Sequence, residues 1–413
     1  METIEVKTKL KQKPEIRFAS FKESWMSIKY GEIYSFYTTN SLSREKLNYE
    51  AGTVRNIHYG DIHTKFSTLF DINKENVPYI NTEIDLSKID KNCFCKEKDL
   101  VIADASEDYA DIGKSIEIIN LNNEKVIAGL HTFLARPDKH EMAKGFAGYL
   151  VKSFGFRKQV MKIAQGTKVL SLSTTRLAAL TLIIPSFPEQ QKIASFLSAV
   201  DEKIQQLTRR KELLEQYKKG VMRQIFSGKI RFKDDNRKAF PKWEDKRLGE
   251  ISNISIGEFV IRTKQTPDGK YPVYNGGASW TGLYNDYNNE GNKIIISARG
   301  ANAGFVNYEA RRYWAGNSCY SVDIADKKLN IVFFIYYYLK FSQHLFTDYQ
   351  QAANIPSVSK KDVQVFKIIC PSTTEQQKIA SFLSSLDTKI ESVANQISQS
   401  QTFKKGLLQQ MFV

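Results

Sequence analysis

Gly113-Lys114-Ser115 ends like a phosphate-binding loop, but the glycine required five residues earlier is Asp108 in this chain. Without that glycine the backbone cannot wrap a phosphate. Pro137-Asp138 followed by Glu141-Met142-Ala143-Lys144 approaches a nuclease pattern, with the Glu–Lys spacing one residue too long. His58 and His63 stand five apart, off a common helix face and without further ligands, so no metal site is expected. A methyltransferase acting on an exocyclic amine would need Asn or Asp before Pro-Pro and an aromatic, and no Pro-Pro occurs. No Ser/His/Asp or Cys/His grouping stands out. Cys93, Cys95, Cys319 and Cys370 have neither disulfide-framework nor zinc spacing and read as reduced core thiols. Catalysis by this chain alone is not expected.

The remaining polar clusters suit recognition. Tyr59–Phe66 carries Asp61, His63 and Lys65 just after His58; Ser106 sits in the acidic loop 104–108; Lys168 opens the stretch Lys168–Ser173 that ends the first globular part. Further along, Asn275 and Trp280 lie in a glycine-rich turn, and Lys293 opens the apolar run Lys293–Ser297. That run delivers Arg299 and Asn302 into a loop flanked by Gly300 and Gly304, and Lys360 follows a serine-rich stretch. Arg and Lys can make paired contacts to guanine, and Asn to adenine, while glycine turns permit close backbone approach to phosphate. Each residue also has a plain structural reading: Arg299, for example, could pair with Asp286 or Glu290.

One stretch occurring twice must position these groups. Pro185–Phe226 and Pro371–Phe412 match at 20 of 42 positions, without a gap, at an offset of 186. Each copy follows a proline that ends a strand-like run, offers Ser or Thr as an N-cap, and has Glu in its first turn. Ile379, Leu383, Leu386, Ile390 and Val393 alternate spacings of four and three, the seam of a coiled coil. Ile193, Leu197, Val200, Ile204 and Leu207 do the same, after which Lys211 and Lys218 fall on the seam. There the pattern is expected to drift toward Leu214, Tyr217, Val221 and Ile225. The ten apolar seam residues of 193–207 and 379–393 are candidates for helix pairing and partner docking. About 40 residues of helix span roughly 60 Å, and each helix is the other's natural antiparallel partner, giving a pseudo-two-fold repeat.

The duplication also covers the segments before the helices, because Trp25 to Gly31-Glu32-Ile33 recurs as Trp243 to Gly249-Glu250-Ile251. The expected order is a leader (1–13), a mixed α and β domain (14–184), a helix (185–228), a basic linker (229–238), a second domain (239–370) and a second helix (371–413). Strands are expected at Thr53–His58, Asp99–Ala103, Ser115–Ile119, Lys125–Leu130, Tyr271–Tyr274 and Lys293–Ser297, and a core helix at Phe333–Leu339. The class is α+β. Net charge is +15, and residues 203–247 hold 15 Lys and Arg against 6 Asp and Glu, an excess that suits a polyanion. No run approaches a membrane-spanning length and residues 1–13 are charged, so a cytoplasmic protein is expected.

The doubled pattern Pro-x-x-x-Glu-Gln-x-x-Ile-Ala-x-x-Leu-x-x-x-Asp-x-x-Ile resembles the specificity subunit of type I restriction–modification enzymes. Lys218-Lys219-Gly220 and Lys404-Lys405-Gly406, then Gln224-x-Phe226 and Gln410-x-Phe412, extend the likeness. Tyr274–Gly277 and Gly291–Ser297 look like framework of a second target recognition domain. The resemblance implies a non-catalytic subunit that reads a bipartite double-stranded DNA target. It would bind two methyltransferase subunits and two restriction motor-nuclease subunits, with S-adenosylmethionine, ATP and magnesium belonging to those partners. A coiled-coil scaffold whose globular ends bind proteins, and a fragment of a fused restriction–methylation enzyme, are the alternatives; salt-dependent DNA affinity separates the first.

Overall fold

The computed structural model describes residues 13–37, 39–87, 89–138, 142–349 and 356–413, so the leader lies outside them but for Lys13. The chain forms two compact units: residues up to Leu207 with Gln396–Val413, and Thr208–Asn395. Each holds one globular segment and half of each long helix.

The first unit is built on a five-stranded sheet, ordered Tyr34–Tyr37, Thr132–Pro137, Leu100–Ala103, Ser115–Asn120 and Leu69–Asp71. All its neighbours are antiparallel except the last pair. Leu100–Ala103 is buried throughout because both sheet faces are covered: Leu100 and Ile102 face one core and Val101 another. A four-stranded sheet holds Val126–Ala128 and Arg55–Ile57 side by side in parallel. These two strands are shorter than expected at both ends. Lys293–Ser297 in the second unit follows the same two-sided logic, with Ile294 and Ile296 in one core and Ile295 in the other. Its sheet is antiparallel, ordered Ser252–Ile256, Cys319–Ile324, Lys293–Ser297 and Val306–Glu309. A three-stranded sheet places Tyr271–Tyr274 between Gly282–Tyr284 and Trp314–Ala315. The aromatic run lies in a helix, Val332–Ser342, with Phe334, Ile335 and Leu339 in the core. All four cysteines are buried and free.

Both globular segments close on themselves in the same way. Met26–Lys29 pairs antiparallel with Thr181–Ile184, and Glu244–Arg247 pairs with Lys367–Cys370 in the equivalent register. Each closure delivers the chain to a long helix, Phe187–Phe226 or Thr373–Gln410. The expected serine cap is not what holds the second helix start. Ser372 Oγ is buried with no partner among the described residues, and Thr373 donates to the Leu329 carbonyl. The first-turn Glu and Gln do the holding instead. Glu189 and Glu375 are fully buried against Arg17 and Arg231. Gln190 and Gln376 donate to the carbonyls of Pro185 and Pro371 and accept from the backbone N–H groups of Ala143 and Ile331.

Within each unit the long helices run antiparallel. In the first, Ile193, Ala194 and Leu197 share a core with Leu407, Met411 and Phe412, and Asp201 pairs with Lys404. In the second, Met222, Ile225 and Phe226 meet Ile379, Leu383 and Leu386, and Lys218 pairs with Asp387. The two ion pairs are copies of one another at the offset of 186. Of the four residues toward which the first seam is expected to drift, Leu214 and Val221 are half-buried and Ile225 is buried, and Tyr217 alone stays out. Lys218 keeps its seam place because its ammonium meets Asp387 and lies 4.9 Å from the Tyr337 ring centre, while Tyr217 stays 54% exposed. No helix among the described residues is long and apolar enough to cross a membrane.

Candidate nucleic-acid interface

In the second unit, adjacent strands end together and gather the polar loops. Ser297 is opposite Cys319 and Ile256 opposite Tyr320, so the loops after residues 256 and 297 leave from one end of the sheet. The turn after Tyr274 joins them: Ser297 Oγ donates to the Gly277 carbonyl at 2.9 Å, and the Gly276 N–H to Cys319 Sγ at 3.0 Å. Gly276 has φ +82°, which suits glycine, and a Cβ there would sit 2.9 Å from the Arg299 carbonyl. The Arg299 loop is pinned on its other side, where Gly300 N–H donates to Pro356 O and Val358 N–H to Ala298 O. Lys360 begins the next helix, capped by Ser359. Asn275, Trp280, Arg299, Asn302 and Lys360 thereby converge on one exposed edge.

The expected cations divide sharply. Arg299 and Lys360 make no ion pair with the described residues, and neither do Arg262 and Lys264 nearby. The alternative pairing of Arg299 with Glu290 is not formed, because Glu290 is held by Arg312 at 2.9 Å. Lys293 does not join the edge. It starts the strand that Arg299 follows, so it sits at the opposite end, with Asp323 at 3.5 Å and Asn289 at 3.3 Å. No described residue lies within 4 Å of where a Gly300 Cβ would be, which leaves bare backbone beside a guanidinium with no ion-pair partner among the described residues.

The first unit treats its candidates differently. Tyr59–Thr64 is a short helix capped by His58, whose Nδ1 accepts from the Gly60 N–H at 3.2 Å. Burial and the nearby Arg44 lower the His58 pKa. Asp61 is 1% exposed and bonded to Arg44 at 2.6 Å and Lys65 at 2.9 Å. Those cations hold its carboxyl below the usual range despite burial. His58 and Asp61 are thus consumed by the fold, and Lys65 is tied to Asp61 and the Tyr49 hydroxyl. His63, Ser106 and Lys168 do come together. A His63 ring nitrogen lies 3.2 Å from the Ala105 carbonyl, Ser106 pairs with Leu170, and Lys168 tops the exposed hairpin between Gln165 and Ser171. Residue patterns missed Arg44, whose partner is 17 positions away, and the Tyr59 ring, which His58, His63 and His131 surround at 4.7–5.9 Å.

The rejected catalytic patterns have structural uses. Lys114 donates to the His63 carbonyl at 2.7 Å. Asp138 accepts from Ser35 and Lys144 pairs with Glu97, while Glu141 lies outside the described residues. No three His, Cys, Asp or Glu side chains among the described residues are grouped to hold a metal.

The type I restriction modification DNA specificity domain matches residues 22–216 and 241–400. A Methanocaldococcus jannaschii protein named as the MjaX type I restriction enzyme specificity subunit is 26% identical over 357 residues, 79% of this chain and 83% of that one. The crystal structure of a type I restriction–modification S subunit from M. genitalium superposes with a TM-score of 0.63 at 18% identity, covering 97% of this chain and 99% of that one. A structure from work on complex assembly and conformational transition of the type I R-M system gives 0.54 at 16% identity, covering 93% and 96%. With the doubled fold and the family match over most of its length, the chain belongs to the type I restriction–modification specificity subunits, which recognise DNA and have no catalytic site or cofactor of their own.

Proposed function

We propose that the protein reads a bipartite DNA target, one half with residues 14–184 and the other with residues 239–370. It does so as a cytoplasmic subunit carrying two methyltransferase subunits and, in the restriction complex, two motor-nuclease subunits. The observation that carries this reading is Arg299: unpaired among the described residues, beside the bare Gly300 backbone, with Asn275 and Asn302 on the same edge. The protein-binding scaffold reading explains neither that edge nor the family match.

Arg299→Ala, assembled with the methyltransferase subunits and titrated against single-base variants of both half-sites, is the test. Loss of a bidentate base contact is expected to cost about 1–3 kcal/mol and to relax preference at one or two bases of the second half-site. A pure phosphate contact would weaken all sequences alike and reduce the salt slope by about one charge. Altered discrimination in the half-site read by residues 14–184 would refute the domain assignment.

Partner docking calls for other residues than the ten seam positions, which are buried or half-buried inside the subunit and serve the pairing of the helices. On the outward side, Tyr217 and Phe403 occupy equivalent positions and are each 54% exposed. Three residues on, Gly220 and Gly406 have nothing within 4 Å of an added Cβ. A mid-helix glycine costs about 1 kcal/mol relative to alanine, and nothing in this chain requires it. A partner helix approaching closely would. Two equivalent patches suit two copies of one partner, the methyltransferase subunits. Tyr217→Asp or Phe403→Asp alone should leave one copy bound, and the pair none, by native mass of the purified complex; two copies retained in both single variants would eliminate these anchors.

A further inference from the structure

The segment Ile256–Ile261 leaves the same end of the second unit's sheet as Arg299, and it exposes three large apolar side chains. Phe259 is 71% exposed, with Ile256 at 55% and Ile261 at 41%, and Trp280 on the neighbouring turn is at 49%. Single exposed apolar side chains are ordinary; four along one edge form the kind of patch that marks an interaction site. The backbone beneath them is not loose. Gly257 N–H donates to the Cys319 carbonyl, Glu258 N–H to Ala315, and the Tyr284 hydroxyl to Ile261. Val260 is buried with Val273 and Tyr284, and a Cβ on Gly257 would collide with the carbonyl oxygens of Ala315 and Gly316. With Val260 pulled in and its backbone pinned, Phe259 is held out in water.

Its neighbours are the candidate reading groups. A Cβ on Gly316 would collide with both Asn275 Oδ1 and Val260 Cγ2, so these two residues flank one point, and Asn275 leads through Gly276 to Arg299. Arg262 and Lys264 follow in the next turn, exposed and unpaired among the described residues. Arg262 and Lys264, three and five residues beyond Phe259, outnumber the adjacent Glu258, and this net positive charge favours DNA over an apolar protein surface. Among the bases, thymine alone presents a methyl group in the major groove, where apolar side chains can read it.

We propose that Phe259 is a specificity-determining residue that packs its ring against the C5-methyl of a thymine in the half-site read by residues 239–370. This rests on the DNA-reading function proposed above. The experiment uses the full subunit with its methyltransferase subunits, and duplexes carrying the target identified by sequencing methylated DNA. Each thymine of the second half-site is replaced in turn by uracil, which removes only the methyl. Wild type is expected to lose about three- to tenfold in affinity at one position, the scale of one buried methyl. Phe259→Ala should bind the thymine duplex more weakly by a similar factor and no longer distinguish thymine from uracil there. Phe259→Leu should retain the distinction, and the melting temperature of both variants should stay within about 2 °C of wild type, as expected for an exposed position. The inference is overturned if no uracil substitution affects wild type, or if Phe259→Ala keeps the discrimination. A wild-type complex with no sequence preference in either half-site would instead overturn the DNA-reading assignment itself.

Discussion

Phe412→Ala is expected to destabilise the first unit by about 3–5 kcal/mol, the usual cost of emptying a phenylalanine site in a core. Phe412 is 5% exposed, lies edge-on to Trp25 at 6.4 Å and 5.8 Å from Phe146, and shares its core with Leu197 and Met411. Its effect should therefore fall on residues near the other end of the chain. Amide hydrogen exchange reads this directly: protection should drop in 25–36 and 146–163 while 332–342 keeps theirs. Phe226→Ala should do the reverse, since Phe226 packs on Phe334, Tyr338 and Phe341 at 5.3–6.0 Å. Equal loss in both units from either variant would contradict the assignment of each helix end to its own core.

Arg17→Ala should be nearly as damaging. Both of its donors lie 2.7 Å from the carboxylate oxygens of Glu189, a side chain with no exposure. Removing the arginine strands a buried charge, which typically costs about 3–5 kcal/mol, whereas replacing both partners by apolar groups is often close to neutral. Arg17→Met with Glu189→Met should accordingly be more stable than Arg17→Ala alone, measured by denaturant midpoint. The equivalent Arg231–Glu375 pair in the second unit has an added donor in Trp243 Nε1 at 3.1 Å and should behave alike. If the double variant is no better than the single one, the pair's geometry rather than an uncompensated charge is responsible.

Much of this architecture was legible in the residues. The repeat at offset 186 marked both long helices, which run over Phe187–Phe226 and Thr373–Gln410. The alternation of four and three placed ten seam residues, all of which are buried or half-buried. Lys293–Ser297 read as a buried strand because an unbroken apolar run must be covered on both faces. Local pattern carries such features because helix and strand periods are properties of neighbouring residues. It also set the face each long helix buries.

Only the tertiary structure decided which partner each polar group found. The Glu in each helix start read as an acid favoured by the helix dipole, yet its arginine comes from 172 residues away in one copy and 144 in the other. Lys218 looked like a defect in the seam until Asp387, 169 residues on, supplied its counter-charge. Lys293 and Arg299 were equivalent candidates in the sequence; one pairs with Asp323 at the far end of the strand, and the other, at the exposed edge, has no ion-pair partner among the described residues. Phe259 drew no notice, since exposure depends on what the rest of the chain leaves uncovered. Periodicity is a local signal, whereas charge pairing and exposure are set by contacts between residues that the fold alone brings together.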